Sequence, residues 1–495
     1  MMGQKDFTPK LFHALSLSKL VPEGHLVRQL ERVLDFGFVR KFCSPFYSHT
    51  GQPSVDPVVI FKMLVLGYLY GITSERRLAE ECSLHLAFRW YLGYDLDEDT
   101  PNHSVLSKAR RRYGPEVFER FFREVLDRCL QAGLIGGERL FADSTLVDAN
   151  ASMQSLVDRE RAGFRVVGEP GKFVETLFQN DPVEDGSAVY ERADSVAQEV
   201  SERKRRWKEK KSKRGRKPSQ ERGMNQRQVS TTDPDAAVVA RPGMKARLAY
   251  KNHFTVDGAN RVITAVTVTG ADVEDSAQLA RLLEQQPRKP SFVCADSHYG
   301  AARVYEDIRR RGITPVIPRR SSHTQKTKPG RIPLSDFTYD SQEDVYRCPQ
   351  GKPLKRAAYD SRWDRYHYRP KRSDCLDCPV RLACATEKSV RTIVRSPYQD
   401  SVEWALESLS RSKGREIMKQ RQTTAEWVVA EAKNFHGLRR AQHRGLPRVS
   451  IQILLTAAVQ NIKRLLGRPL QDLLERIADL IRQSSHISFA ASIPS

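Results

Sequence analysis

The chain has 495 residues, 39% hydrophobic and 29% charged, which is enough for two or three domains with their own cores and excludes a disordered polymer. Its 82 Lys and Arg against 60 Asp and Glu leave a formal charge of +22, so a polyanionic partner is expected, nucleic acid before an anionic membrane. The most apolar run, PVVIFKMLVLGYLYGI, carries Lys62 and falls short of the ~18 clean residues of a spanning helix. The start MMGQKDFTPK has no signal-peptide apolar stretch, so a cytoplasmic protein is expected, bound to the nucleoid when it holds DNA.

Residues 1–135 read as helical, with apolar positions three and four apart through Leu26–Phe36, Val55–Tyr70, Arg76–Tyr91 and Val117–Leu130. A break at Thr100–Ser104 precedes a basic helix, SVLSKARRRYG. The run YDLDEDTPN imitates a calcium loop, but Thr100 stands where the turn needs Gly and Leu106 where it needs Glu, so calcium is rejected. After Gly136-Gly137 the period changes, and RLFADSTLVDA reads as an alternating strand.

A polar insertion follows, about 150–245. Within it Arg203–Lys217 has eleven basic residues, among them Arg203, Lys204, Arg205, Arg206, Lys213, Arg214, Arg216 and Lys217. Such a run is a solvated helix or a DNA-contacting arm. Next come a hairpin around Gly258-Ala259-Asn260, a helix from Asp275 to about Gln286, the buried strand of SFVCADSHYG, a helix Ala301–Arg311 and the strand ITPVIP. A Cys-rich insertion (about 320–395) interrupts before helices over roughly Val402–Leu409, Ile417–Asn434 and Pro447–Leu466.

Two-metal phosphodiester chemistry needs acidic oxygens converging on ions roughly 3.5–4 Å apart. Strand ends are rigid supports for them. Asp143 lies on the first strand, Asp296 just past the strand SFVCA, and the two strands are expected to be neighbours. A helix should bring the third acid. In TTAEWVVAEAKNFHGLRRA, Glu426 precedes Lys433 by seven residues, two turns along one face. Glu431 lies on another face and lacks that coupling.

On the words GQPSVDPVVIFKMLVLGYLYGITSERRLAEE, FADSTLVDANAS, ADSHYG and EWVVAEAKNFHGLRRAQHRGL, the chain resembles the bacterial insertion-sequence DDE transposases. It is most similar to the subgroup with an InsH-type helical amino-terminal domain and a Cys-rich insertion. The resemblance implies an α/β fold, an RNase H-like mixed sheet flanked by helices, with an all-α amino-terminal domain and a small β-rich Cys-containing insertion. It sets 1–135 as the DNA-binding helical domain, 136–466 as the interrupted catalytic core and 467–495 as a tail. The family's acids fall on Asp143, Asp296 and Glu426, with Lys433 as partner. The family often has Arg four and Tyr seven residues before the Glu; Gln422 and Lys419 stand there, with Arg421 one place away. Arg421, Lys433, Arg439 and Arg440 are then DNA contacts.

Cys348, Cys375, Cys378 and Cys384 crowd into one segment, whereas Cys43, Cys82, Cys129 and Cys294 stand isolated as buried thiols. Four soft ligands including a CxxC pair suit one structural zinc; reduced thiols are the alternative. The segment reads as too polar to build its own core, which favours a metal staple.

What the resemblance implies is cleavage at terminal inverted repeats and strand transfer into target DNA, with two Mg²⁺ or Mn²⁺ ions and a homodimer on DNA. No GxxxxGK[ST] loop and no GxSxG elbow occurs, so a nucleotide cofactor and serine hydrolysis are not expected. A metal nuclease without strand transfer and an inactive DNA-binding relic stay open as alternatives.

Overall fold

The computed structural model describes residues 16–159, 224–320 and 330–467, apart from positions 49, 53, 241, 242, 361–363, 387 and 388. The basic run Arg203–Lys217 and the tail from 468 onward lie outside the described residues. The chain divides into two units: residues up to 136, 144–273 and from 424 onward; and residues 137–143 with 274–423.

The first unit holds the amino-terminal helices. Pro57–Leu69 starts with Asp56 accepting from the Val58 amide at 2.9 Å and Pro57 in the first turn, where its missing N–H costs nothing. Its apolar residues are buried almost all round, which makes the most apolar run of the sequence a core helix. Among the described residues no helix is long and apolar enough to cross a membrane.

Two helix expectations need correction. Arg76–Tyr91 is two helices, Glu75–Leu84 and Leu86–Leu92, because extended His85 breaks the ladder and caps the second with Nδ1 at 3.2 Å from the Ala87 amide. The basic helix and Val117–Leu130 form one element, Ser104–Gln131, kinked at Gly114 (φ 66), where Pro115 follows. Phe61 anchors this core against Phe118 and Phe121 at 5.1 and 5.0 Å between ring centres. The helix Leu446–Leu466, buried along most of its length, belongs to the same core.

Thirteen strands are described: β1 Arg139–Asp148, β2 Leu156–Asp158, β3 Gln228–Ser230, β4 Ala237–Val239, β5 Arg247–Asp257, β6 Ile263–Gly270, β7 Phe292–Cys294, β8 Thr314–Val316, β9 Thr338–Asp340, β10 Val345–Arg347, β11 Pro353–Asp360, β12 Arg365–Pro370 and β13 Ile393–Arg395. Along hydrogen-bonded neighbours the main sheet runs β4-β5-β1-β7-β8, with β6 also paired to β5. β5 and β6 are the antiparallel hairpin, while β1, β7 and β8 are parallel. Leaving the short β4 aside, this is the mixed sheet of an RNase H-like fold: β1 comes first in the chain, the antiparallel pair β5 and β6 follows, and β7 and β8 come last, parallel to β1.

β1 is buried nearly throughout rather than alternating. Its first half lies in the second unit, where Leu140 and Ala142 pack with Val293, Ala295, Tyr305 and Ile317; its second half lies in the first, where Val147 packs with Leu248 and Ile453. A strand covered on both faces shows no polar side.

The Cys-rich segment forms the antiparallel sheet β13-β12-β11-β10-β9. The expectation that it is too polar for a core is wrong. Phe337, Tyr346, Leu354, Tyr368 and Ile393 form one, with Tyr346 and Tyr368 rings 5.2 Å apart edge to face. The tyrosines supply apolar area while placing their hydroxyls at its margin, where Tyr339 donates to Asp344 at 2.9 Å.

Candidate active site

The register of β1 and β7 sets the site. Arg139, Leu140 and Phe141 pair with Phe292, Val293 and Cys294 in parallel. Asp296 keeps an extended backbone (φ −78, ψ 177), so two further residues on each chain bring Asp143 beside Asp296. Neighbouring strands lie about 5 Å apart, and equivalent residues point the same way. Because Leu140 and Ala142 share the core face with Val293 and Ala295, Asp143 falls on the opposite face of β1.

The two carboxylates are compensated differently. Asp143, its side chain 12% exposed, accepts from Arg421 Nη2 at 2.7 Å. Asp296, 33% exposed, opens the turn Ser297–Tyr299; its Oδ1 accepts from the His298 amide at 2.9 Å, and its Oδ2 lies 3.0 Å from His298 Nδ1. Gly300 closes that turn. A Cβ there would lie 2.1 Å from the Pro318 carbonyl oxygen, and the Gly300 carbonyl accepts from the Arg320 amide at 3.1 Å. No side chain fits at this position.

Sequence reasoning missed Tyr299 and Asp275. The Tyr299 hydroxyl is buried without a hydrogen-bond partner among the described residues. Burial, then the charges of Asp275, Asp143 and Asp296, hold it well above the ordinary phenol range, and Arg421 opposes them weakly. Neither residue carries a spacing signal; each is placed by the turn in which it sits.

The helix expected over Ile417–Asn434 is interrupted. Ser412–Arg421 and Trp427–Phe435 are α-helical, and Gln422–Glu426 between them is a π turn. Such turns close five residues apart and absorb one extra residue, and they are frequent at functional sites. The one-residue offset of Arg421 from the family's Arg position matches that one-residue widening. Glu426, the last residue of the turn, is exposed.

Glu431, the rival acid, is 2% exposed and held by Lys463 and Arg464, each at 2.5 Å, and by Gln460 at 3.0 Å. Burial raises its carboxyl, but His436 and the two cations outweigh that and hold it well below the usual range. Lys433 is half-buried. Arg439 and Arg440 are exposed, and a backbone bridge between Asp148 and Arg440 fixes their segment in the first unit.

All eight cysteines are unpaired thiols, and the four isolated ones are buried as expected. Cys348, Cys375, Cys378 and Cys384 line one cavity in the second unit. Burial pushes Cys375 and Cys384 up, the other thiols of the four add to it, and Arg381 and Arg391 respectively oppose it. Among the described residues, no group of three or more His, Cys, Asp or Glu is arranged to hold a metal ion as it stands. The donors still fit the expected metals in kind: hard carboxylate oxygens on Asp143 and Asp296, and four soft sulfurs around one cavity.

The fold is that of an RNase H-like α/β protein, and Asp143, within β1, with Asp296, just past β7, makes a candidate acidic active site. Residues 15–112 match the family described as "Transposase domain (DUF772)" and residues 347–466 match "Transposase DDE domain". A stretch is 35% identical over 99 residues to the "Putative transposase for insertion sequence element IS402" of Burkholderia cepacia, covering 18% of this chain and 44% of that protein. Over these stretches the chain is similar to transposases of insertion sequences. A solved piggyBac transposase synaptic complex with hairpin DNA aligns over 89% of this chain and 81% of that one, at 9% identity; its TM-score of 0.24 carries no argument. The matched spans include Glu426 and Lys433 and leave Asp143 and Asp296 outside.

Proposed function

We propose that this chain is a metal-dependent DNA transposase, which cuts at the terminal inverted repeats of an insertion element and joins the freed ends to target DNA. The observation that carries the reading is the parallel register of β1 and β7, in which Asp143, within β1, and Asp296, just past β7, stand two residues beyond the paired Phe141 and Cys294. The two transposase-domain matches support it.

Asp143 and Asp296 would hold divalent cations, Mg²⁺ or Mn²⁺, with Glu426 as third ligand. When bound, two such ions supply Lewis-acid activation of the attacking oxygen and neutralise the leaving one. Lys433, Arg439 and Arg440, with the arm Arg203–Lys217, would hold phosphates, and their charge would make affinity fall steeply with salt. Cys348, Cys375, Cys378 and Cys384 would hold one structural zinc. Two copies would work together on the two element ends, in the cytoplasm and on the nucleoid.

The test is incubation of a terminal-repeat duplex with Mg²⁺ and either the natural chain or Asp296→Asn. Loss of cleavage in the variant is expected; equal cleavage sinks the assignment. A plasmid assay for joined products separates a transposase from a nuclease that only cuts.

A further inference from the structure

We infer that Arg421 is a positioning residue that occupies Asp143 in place of a divalent cation, so that metal binding is an exchange of the Arg421 guanidinium for the ion. The inference rests on the reading of Asp143 and Asp296 as cation ligands.

The Asp143–Arg421 pair is built rather than incidental. Within the second unit, the helix Ser412–Arg421 is pinned by Lys413 to Glu138 at 3.0 Å and by Glu416 and Gln420 to Arg139 at 3.1 and 2.7 Å. Lys413 also sits over the Phe292 ring, 4.6 Å from its centre. Those anchors lie at the start of β1 and beside β7. They fix the helix so that its last residue, Arg421, reaches Asp143 at 2.7 Å.

The side chains are 15% and 12% exposed, so water screens the pair poorly. Two neighbouring carboxylates repel each other, and the guanidinium relieves that repulsion at Asp143. The same charge opposes an arriving cation, and the same bond holds an oxygen that the cation needs. Exchange requires only the Arg421 side chain to swing away, because the anchors of its helix are elsewhere.

The experiment is a Mn²⁺ titration of the full chain without DNA, followed by electron paramagnetic resonance, on the natural protein, Arg421→Gln, Arg421→Lys and Asp143→Asn. Removing a charge-assisted bond that competes with the ion should tighten Mn²⁺ binding in Arg421→Gln by roughly tenfold. Arg421→Lys keeps the charge and should stay within about threefold of the natural chain. Asp143→Asn should lose the site. The metal-free Arg421→Gln protein should melt at a lower temperature and gain more from Mn²⁺; Arg421→Met serves as the second neutral variant should Arg421→Gln not fold.

Binding that is unchanged or weaker in the neutral variants overturns the role of Arg421 and leaves the cation site standing. Absence of Mn²⁺ binding in both the natural chain and the neutral variants overturns the cation site itself, and the inference with it.

Discussion

Asp143 and Glu431 are both acids with little exposure, each beside arginine, and they sit in different units of the molecule. Glu431 has Lys463, Arg464, His436 and Gln460 around it, so its charge is fully answered by side chains of its own core. Asp143 has Arg421, and a second carboxylate, Asp296, follows just past the end of the neighbouring strand β7. An acid surrounded by cations stabilises the fold and is closed to metal. An acid set next to another acid costs stability, and such pairs are retained where a bound cation makes use of them.

The largest effect that would sharpen this contrast is on cleavage. Asp143→Asn and Asp296→Asn should each lower the rate on a terminal-repeat duplex by at least about a thousandfold, while thermal unfolding shows both still folded. Glu431→Ala should do the reverse. It leaves Lys463 and Arg464 buried without their partner, which should cost about 3–5 kcal/mol in urea unfolding and leave the Mn²⁺ affinity of the folded fraction unchanged. A destabilised Asp143→Asn beside a stable Glu431→Ala would break the comparison.

A smaller effect should come from the cysteines. Replacing Cys375 and Cys378 by Ser should release bound zinc, read by a colorimetric chelator, and lower the melting temperature by roughly 5 °C. The modest size reflects the aromatic core of β9–β13, which holds part of that segment without metal.

The smallest effect is on pH dependence. Burial, then the charge of Arg110, lowers His443 to about 4, against an ordinary 6.5. A depressed histidine contributes stability that is present above pH 6.5 and lost as pH falls through 4, because the unfolded chain takes up the proton first. His443→Gln should flatten the stability curve in that window, measured by urea unfolding at several pH values. Partial exposure of the ring (24%) keeps the effect small. Glu431 adds a separate acid slope: its stabilisation holds above its ordinary 4.5 and is lost below it.

Much of this was legible in the sequence. The succession of the main strands and helices along the chain followed from the apolar runs, and Asp143 and Asp296 stood out because each lies in or just beyond such a run. Glu426 was preferred to Glu431 on helical spacing, and the burial of Glu431 among cations agrees with setting it aside. Other features left no mark. The π turn at Gln422–Glu426 depends on tertiary packing, and its residues are ordinary helix formers and threonines. The Tyr-rich core of the Cys segment was missed because tyrosine counts as half polar in a pattern, yet three tyrosines packed ring against ring, Tyr346 edge to face on Tyr368 and tilted on Tyr339, bury substantial area. The split at His85 came from a capping ring nitrogen, which a periodicity reading does not weigh.

The glycine that closes the Asp296 turn bears on how such elements decay. On the proposed function, a copy that lost Asp143, Asp296 or Glu426 would be recognised at once by inspection. A copy with alanine at position 300 would keep every acid and every basic contact. Its added methyl would collide with the Pro318 carbonyl and displace the loop that aims Asp296. Surveys that sort living from dead elements by the three acids alone would score such a copy as active, and this one hydrogen-sized space deserves a place in the test.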